Sequence, residues 1–272
     1  MPTAPQIVCA CGSGVAMTSA FEKITSASNP LIKELRKLST DNTAYRKQGR
    51  VWLEGDHLCR AALLRGFKPV FGLFSESFWP LAQYLWVQEA IKNIVLPDAL
   101  FAGISGLESA ASMGFVFDLP AQPNLLPTVA SVILDQVQDA GNVGSILRSA
   151  AAFGFIQVIA LKGTAALWSP KVLRAGMGAH FGLQLLEGVE PDALTALAVP
   201  MVVTSSHEGD VLGQGKLPMP CAWVMGHQGQ GVSEFLMGTA AIKVRIAQPG
   251  GEESLNVAAA AAICLHFSSM QT

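Results

Sequence analysis

An α/β fold with a parallel sheet, preceded by a smaller α/β unit, is predicted from three observations. Beyond residue 129, near-continuous apolar runs alternate with helix-forming stretches, the pattern of a parallel sheet covered on both faces. Upstream lies "PAQPNLLPT" at residues 120–128, where Pro120, Pro123 and Pro127 break any regular element and mark a linker. Half of the 272 residues are apolar, enough for a substantial core.

Residues 21–119 carry strand-like pieces at "RVWLEG", "KPVFGLFS", "KNIVLP" and "MGFVFDL", separated by helical stretches such as "DHLCRAALLRG". Residues 129–272 run in strict rhythm. "VASVILD" leads to a helix through "NVGSILRSAAAFG", then "IQVIAL", a helix around "PKVLRAG", "LQLLE" and a helix at "PDALTALA". "PMVVTSS", "CAWVMG", a helix at "SEFLMG", "AIKVRIA" and a final Ala-rich helix follow. The opening residues 1–20 lack the cationic start and apolar centre of a secretory signal and read as a disordered extension, with Met17 a candidate start.

Several function classes drop out on composition. No apolar run reaches the eighteen or so uncharged residues of a membrane span. The five scattered cysteines suit a reducing cytoplasm rather than a disulfide framework, and no Cys or His pair has zinc-site spacing, so no metal is expected. Gly226, Gly229 and Gly231 do not make G-x-G-x-x-G, Lys216 is followed by Leu217 rather than Ser or Thr, and no G-x-S-x-G elbow occurs. Dinucleotide, triphosphate and serine-hydrolase chemistry therefore lack support.

Charge is unevenly spread. Residues 21–68 hold ten Lys and Arg against five Asp and Glu; the remainder holds eight against fifteen. Lys33, Arg36, Lys37, Arg46 and Lys47 recur at roughly helical spacing beside Leu31, Ile32, Leu35 and Leu38. Such a segment buries one face and presents cations on another, either as a solvated surface or as a contact for nucleic acid.

In parallel sheets ligands collect at the carboxyl ends of strands. Three loops there carry residues a plain turn does not need. "DQVQDAGNVGSILRSAAAFG" offers Asn142 as a helix cap, Gly141 and Gly144 for close approach, and Arg148. "VMGHQGQGVS" holds three glycines in six residues. "GGEESLNVA" at 250–258 crowds Glu253, Ser254 and Asn256 against the last helix, with Ser254 placed to cap it and Asn256 in its first turn.

"NVGSILRSAAAFG", "VMGHQGQGVS" and "ESLNVAAAAAICL", in that order, resemble the three motifs of the SpoU or TrmH family of RNA ribose 2′-O-methyltransferases, within the SPOUT superfamily. "NPLIKELRKL" and "YRKQGRVWLEG" are similar to the family's N-terminal substrate-binding domain, which has a fold like a small ribosomal protein. The resemblance implies a C-terminal α/β domain tied in a deep trefoil knot, S-adenosylmethionine bound inside the knot, and a homodimer with the active site at the subunit interface. It places cofactor contacts on Gly226, Ile246 and Leu255, with Gly229 and Gly231 opening the slot. Arg148 and Asn142 match the first motif's catalytic pair, and Glu253, Ser254 and Asn256 match the third.

Structured RNA is then the partner, ribosomal RNA favoured over transfer RNA because a separate N-terminal domain suits a large target. An RNA-binding assembly protein that has lost turnover is the alternative. A guanidinium rarely gives up its charge, so Arg148 is expected to act as a fork on a phosphate and on the developing alkoxide, with the proton passing to water, phosphate or Glu253. The chain departs from the family at Gln228, where Glu is usual; at Ala247 and Gln248, where Pro and Met follow the Ile; and at Gly176, often Ser.

Overall fold

A computed structural model describes residues 21–205, 208–250 and 255–271. The readings of residues 1–20, Glu253 and Ser254 therefore lie outside the described residues.

The N-terminal half opens with strand β1 (Phe21–Lys23) and helix α1 (Pro30–Thr40). Asn29 starts that helix, its side chain accepting from the Leu31 amide at 2.9 Å, and Pro30 occupies a first-turn position where its missing N–H costs nothing. Ile32, Leu35 and Leu38 recur at helical spacing and are buried. There follow α2 (Ala44–Gln48), β2 (Arg50–Glu54), α3 (Asp56–Leu64), β3 (Phe71–Ser75), α4 (Trp79–Leu85), β4 (Lys92–Leu96), α5 (Asp98–Ala102) and β5 (Met113–Asp118). The sheet order is β1-β4-β3-β5-β2; β4 runs parallel to β1 and β3, while β5 runs antiparallel to β3 and β2.

The C-terminal half comprises β6 (Ser131–Leu134), α6 (Ala140–Ala152), β7 (Gln157–Leu161), α7 (Pro170–Gly176), β8 (Gln184–Val189), β9 (Met201–Thr204), β10 (Asp210–Val211), β11 (Ala222–Met225), α8 (Glu234–Thr239), β12 (Ile242–Arg245) and α9 (Val257–Ser269). All neighbours in this seven-stranded sheet, ordered β10-β12-β9-β11-β6-β7-β8, are parallel. The apolar runs are explained by double coverage. Val132, Leu134, Trp223 and Met225 join the core that includes residues of α6, α7 and α9, and the alternate residues Ile133, Ala222 and Val224 pack with Leu194 and Leu236 on the other side. The fully buried Trp223 donates its indole N–H to Ser268 at 2.9 Å, which fastens α9 to the central strand.

Two expectations need correction. "PDALTALA" forms a 3₁₀ helix at Pro191–Ala196 rather than an α-helix; it spans only six residues, and the Thr195 hydroxyl turns back to the Asp192 carbonyl at 2.7 Å. Asn142 does not cap α6. Asp139 does, accepting from the Asn142 amide at 2.7 Å, and Asn142 lies one turn inside with its side chain free for other work.

Chain order fixes where a site can form. From β6 the chain steps outward through β7 and β8, crosses to β9, and later inserts β11 between β6 and β9. The loops leaving β6 and β11 therefore emerge side by side, at the point where the direction of winding changes. Gly144 lets α7 approach α6 closely, since a Cβ there would sit 2.4 Å from that of Ala175.

The two halves meet through a polar bridge beside aromatic packing. The Tyr45 hydroxyl donates to the Glu187 carboxylate at 2.8 Å, and Arg46 reaches the same carboxylate at 3.4 Å. Burial, reinforced by Glu187, pushes the phenol above its ordinary range. Phe67 meets Phe181 edge-on at 5.0 Å.

Candidate active site

The loop after β11 begins at Gly226, where a Cβ would lie 2.3 Å from the Gly231 backbone; no other residue lets the loop fold back so tightly. His227 and Gly231 exchange both main-chain bonds at 2.8 Å, closing a five-residue ring. Buried Asp135, at the end of β6, accepts from the Ser233 amide at 2.7 Å and pins the far side of the loop. Sequence reasoning missed Asp135; the only signal was a carboxylate ending an otherwise apolar strand.

Beside this ring lies a cavity of about 690 Å³ at the carboxyl ends of β9, β11 and β12. Gly226, Gly229, Gly231, Ile246 and Leu255 all line it. So does Gln248, whose side-chain oxygen is buried without a hydrogen-bond partner among the described residues. A slot with exposed glycine backbone, apolar walls and an unpaired buried acceptor suits a flat heteroaromatic group carrying N–H donors, and adenosine is such a group. Among the described residues no group of three or more His, Cys, Asp or Glu could hold a metal ion, and no helix is long and apolar enough to cross a membrane.

Three side-chain amides link the motifs. Asn142 donates to the Gln228 side-chain oxygen at 3.2 Å, and Asn256 donates to Asn142 at 3.0 Å. The Asn256 oxygen accepts from the amides of Ala258 and Ala259 at 2.9 and 3.3 Å, which makes Asn256 the cap of α9. Asn256, expected in the first turn of this helix, is instead its cap. Asparagine is a poor helix former but one of the best caps, and α9 starts at Val257, immediately after it.

Arg148 stands apart. Six residues beyond Asn142 on α6, it lies about 9 Å further along the axis and about 240° around it. It is exposed and has no hydrogen bond or ion pair among the described residues, so within one chain it does not join the amides. On α9, Ala259 and Ile263 turn outward, a short apolar stripe at helical spacing, and exposed Met270 follows just past the helix end.

The five cations expected on one face divide. Arg36 is committed to the fold through the carbonyls of Gly103 and Ala27, at 3.2 and 3.4 Å, and Arg46 to Tyr45 and Glu187. Lys33, Lys37 and Lys47 remain exposed and without ion pairs among the described residues. The Gly176 departure also has a physical reason: the His180 ring fills the space, and a Cβ at 176 would lie 2.5 Å from its Cε1.

Known proteins resemble this chain in sequence and, where solved, in fold. A tRNA/rRNA methyltransferase of Synechocystis, itself described as uncharacterized, is 30% identical over 94% of this chain and 96% of its own. The 23S rRNA (guanosine(2553)-2′-O)-methyltransferase RlmP of Bacillus subtilis is 29% identical over 90% and 98%. The solved structure of a TrmH-family protein from Porphyromonas gingivalis superposes with a TM-score of 0.78 at 29% identity, covering 89% of this chain and 97% of that one. The model of the SpoU rRNA Methylase family matches residues 130–266, the parallel sheet and every loop that frames the cavity, and the chain belongs to that family.

Proposed function

We propose that this protein transfers a methyl group from S-adenosylmethionine to a ribose 2′-hydroxyl of structured RNA, with ribosomal RNA the favoured substrate. The observation that carries the reading is the cavity beside the amide chain, where glycine backbone, Ile246 and Leu255 form one slot at the switch point of the sheet. The Bacillus relative, named for a 2′-O-methylation of 23S rRNA, supports the choice of RNA.

In this reading residues 129–272 are the catalytic domain, 120–128 the linker and 21–119 the RNA-binding domain. A trefoil knot in the catalytic domain is what membership of this family implies, and the hydrogen bonds that bring the last helix and the β11 loop against α6 are compatible with it. A homodimer is supported by the outward stripe of α9 and by Arg148, which needs a second chain to bring it to an amide cluster. Free buried thiols at Cys59, Cys221 and Cys264 suit the cytoplasm; burial pushes those of Cys221 and Cys264 up to about 12.

The bound cofactor supplies an electrophilic methyl group on a sulfonium, whose leaving group departs neutral. Alignment is then the main task, and it falls to Gly226, Ile246 and Leu255. Asn142 and Asn256 hold the last helix and the loop in register. The Arg148 fork binds an RNA phosphate and stabilises charge on the 2′-oxygen, with the proton leaving to water, phosphate or Glu253. Calorimetry with S-adenosylmethionine, followed by labelled methyl transfer to total RNA from cells lacking the gene, tests the proposal. A labelled 2′-O-methylnucleoside is expected; binding without transfer would instead support an RNA-binding assembly protein.

A further inference from the structure

His227 makes more contacts with its own loop than its position requires. Besides exchanging both main-chain bonds with Gly231, it turns its ring inward so that Nδ1 accepts from the amides of Gly229 and Gln230, at 3.0 and 3.2 Å. Four hydrogen bonds therefore fasten the ring of residues 227–231 to a single residue, and that ring forms one wall of the cavity. A nitrogen that accepts two N–H groups must present its lone pair, so the hydrogen of the neutral imidazole resides on Nε2. Taking up a proton at Nδ1 would turn the acceptor into a donor and break both bonds.

From this geometry we infer that His227 is a positioning residue, which sets the shape of the cofactor wall through Nδ1 and does not serve as the proton acceptor for the ribose hydroxyl. The inference rests on the reading that this cavity takes S-adenosylmethionine. Accepting from the amides two and three residues ahead is also what an Asn side chain does in an Asx turn. Asn Oδ1 stands the same number of bonds from Cβ as His Nδ1, whereas Gln Oε1 stands one bond further, where Nε2 would be. The chemistry needed at 227 is thus an acceptor at the δ position, and the ring itself is dispensable.

Three variants of the full-length chain separate the possibilities: His227→Asn, His227→Gln and His227→Ala. Hydrogen exchange of the Gly229 and Gln230 amides, read without ligand, reports the staple directly. Calorimetry with S-adenosylmethionine and single-turnover transfer at saturating cofactor report its consequence. We expect Asn to keep amide protection and cofactor affinity close to those of the natural protein. Gln and Ala lose protection and about tenfold in affinity, with the loss falling on cofactor KM rather than on turnover at saturation. Gln performing as well as Asn, or Ala leaving protection unchanged, would overturn the inference. Loss of turnover at saturating cofactor in all three would make His227 a chemical participant. If the natural protein fails to bind S-adenosylmethionine, the cofactor reading falls, while the exchange arm still decides whether His227 holds the loop.

Discussion

In the N-terminal half, side chains with full charges hold strands and helices to one another: Lys92 pairs with Glu22, Lys23 with Glu76, and Arg50 with Glu34. In the C-terminal half, the residues that join the three motifs are neutral amides, and their order is set from one end. The second and third amides of α9, those of Ala258 and Ala259, donate to the Asn256 oxygen, so its nitrogen must donate to Asn142, whose nitrogen in turn donates to Gln228. Surface ion pairs each contribute little, about 0–1 kcal/mol, and tolerate exchange. A directional chain of amides tolerates less, since its middle member Asn142 is buried and its donor and acceptor must both find the right partner. The first half can therefore vary its charges while the second must keep its geometry.

The largest expected effect lies at Arg148, the one exposed charge among the described candidate catalytic residues. Arg148→Ala should lower methyl transfer by about 10²–10³-fold while cofactor affinity stays within a few-fold, as for loss of a transition-state contact. Arg148→Lys should fail too, because an ammonium cannot reproduce paired fork contacts. Loss of dimerisation or of cofactor binding, measured by light scattering and calorimetry, would instead make Arg148 a structural residue.

Next comes buried His180, whose Nε2 donates to the Leu167 carbonyl at 2.9 Å while burial lowers its pKa to about 4. The unfolded chain, with a histidine near 6.5, binds the extra proton first as pH falls. Its contribution to stability is thus complete above about pH 6.5 and is lost progressively down to about 4, by about 3 kcal/mol at most. Chemical denaturation across that range checks this, and His180→Gln should flatten the slope; an unchanged slope would show that other groups carry the acid sensitivity.

Breaking the amide chain at its centre, Asn142→Ala, should cost about 1 kcal/mol of stability, because two hydrogen bonds are lost but the partners Gln228 and Asn256 are exposed and can turn to water. Smaller still is the surface effect. Replacing Lys33, Lys37 and Lys47 with Ala should weaken RNA binding and reduce its salt slope by about 2, with stability unchanged. Arg36→Ala should do the reverse, destabilising the fold through the lost Gly103 and Ala27 contacts. If all four behave alike, the division of these cations into structural and free is wrong.

Much of this was legible in the residues. Apolar runs such as "VASVILD" and "IQVIAL" announce doubly covered strands because both faces of each are buried, and the glycine loops announce a cavity because no other residue fits where Gly226 doubles back. Short edge strands such as β10 are not legible in the sequence, because two residues carry no periodicity. The commitments of Arg36 and Arg46 depend on partners 67 and 141 residues away, which local spacing does not report. That Asn256 caps α9 rather than sitting in its first turn depends on where the helix starts, which composition does not fix.

The central claim is that a site joined by neutral amides is a working one, and Gln228 tests it most directly. Among the described residues its oxygen is the only atom of its side chain in the amide chain, accepting from Asn142 as a carboxylate would. Single-turnover methylation of the mapped RNA by the natural protein and by Gln228→Glu should show both active and within about tenfold of each other, about 1.4 kcal/mol. An inactive natural protein that Gln228→Glu restores to strong activity would contradict the account, making the carboxylate essential to the chemistry.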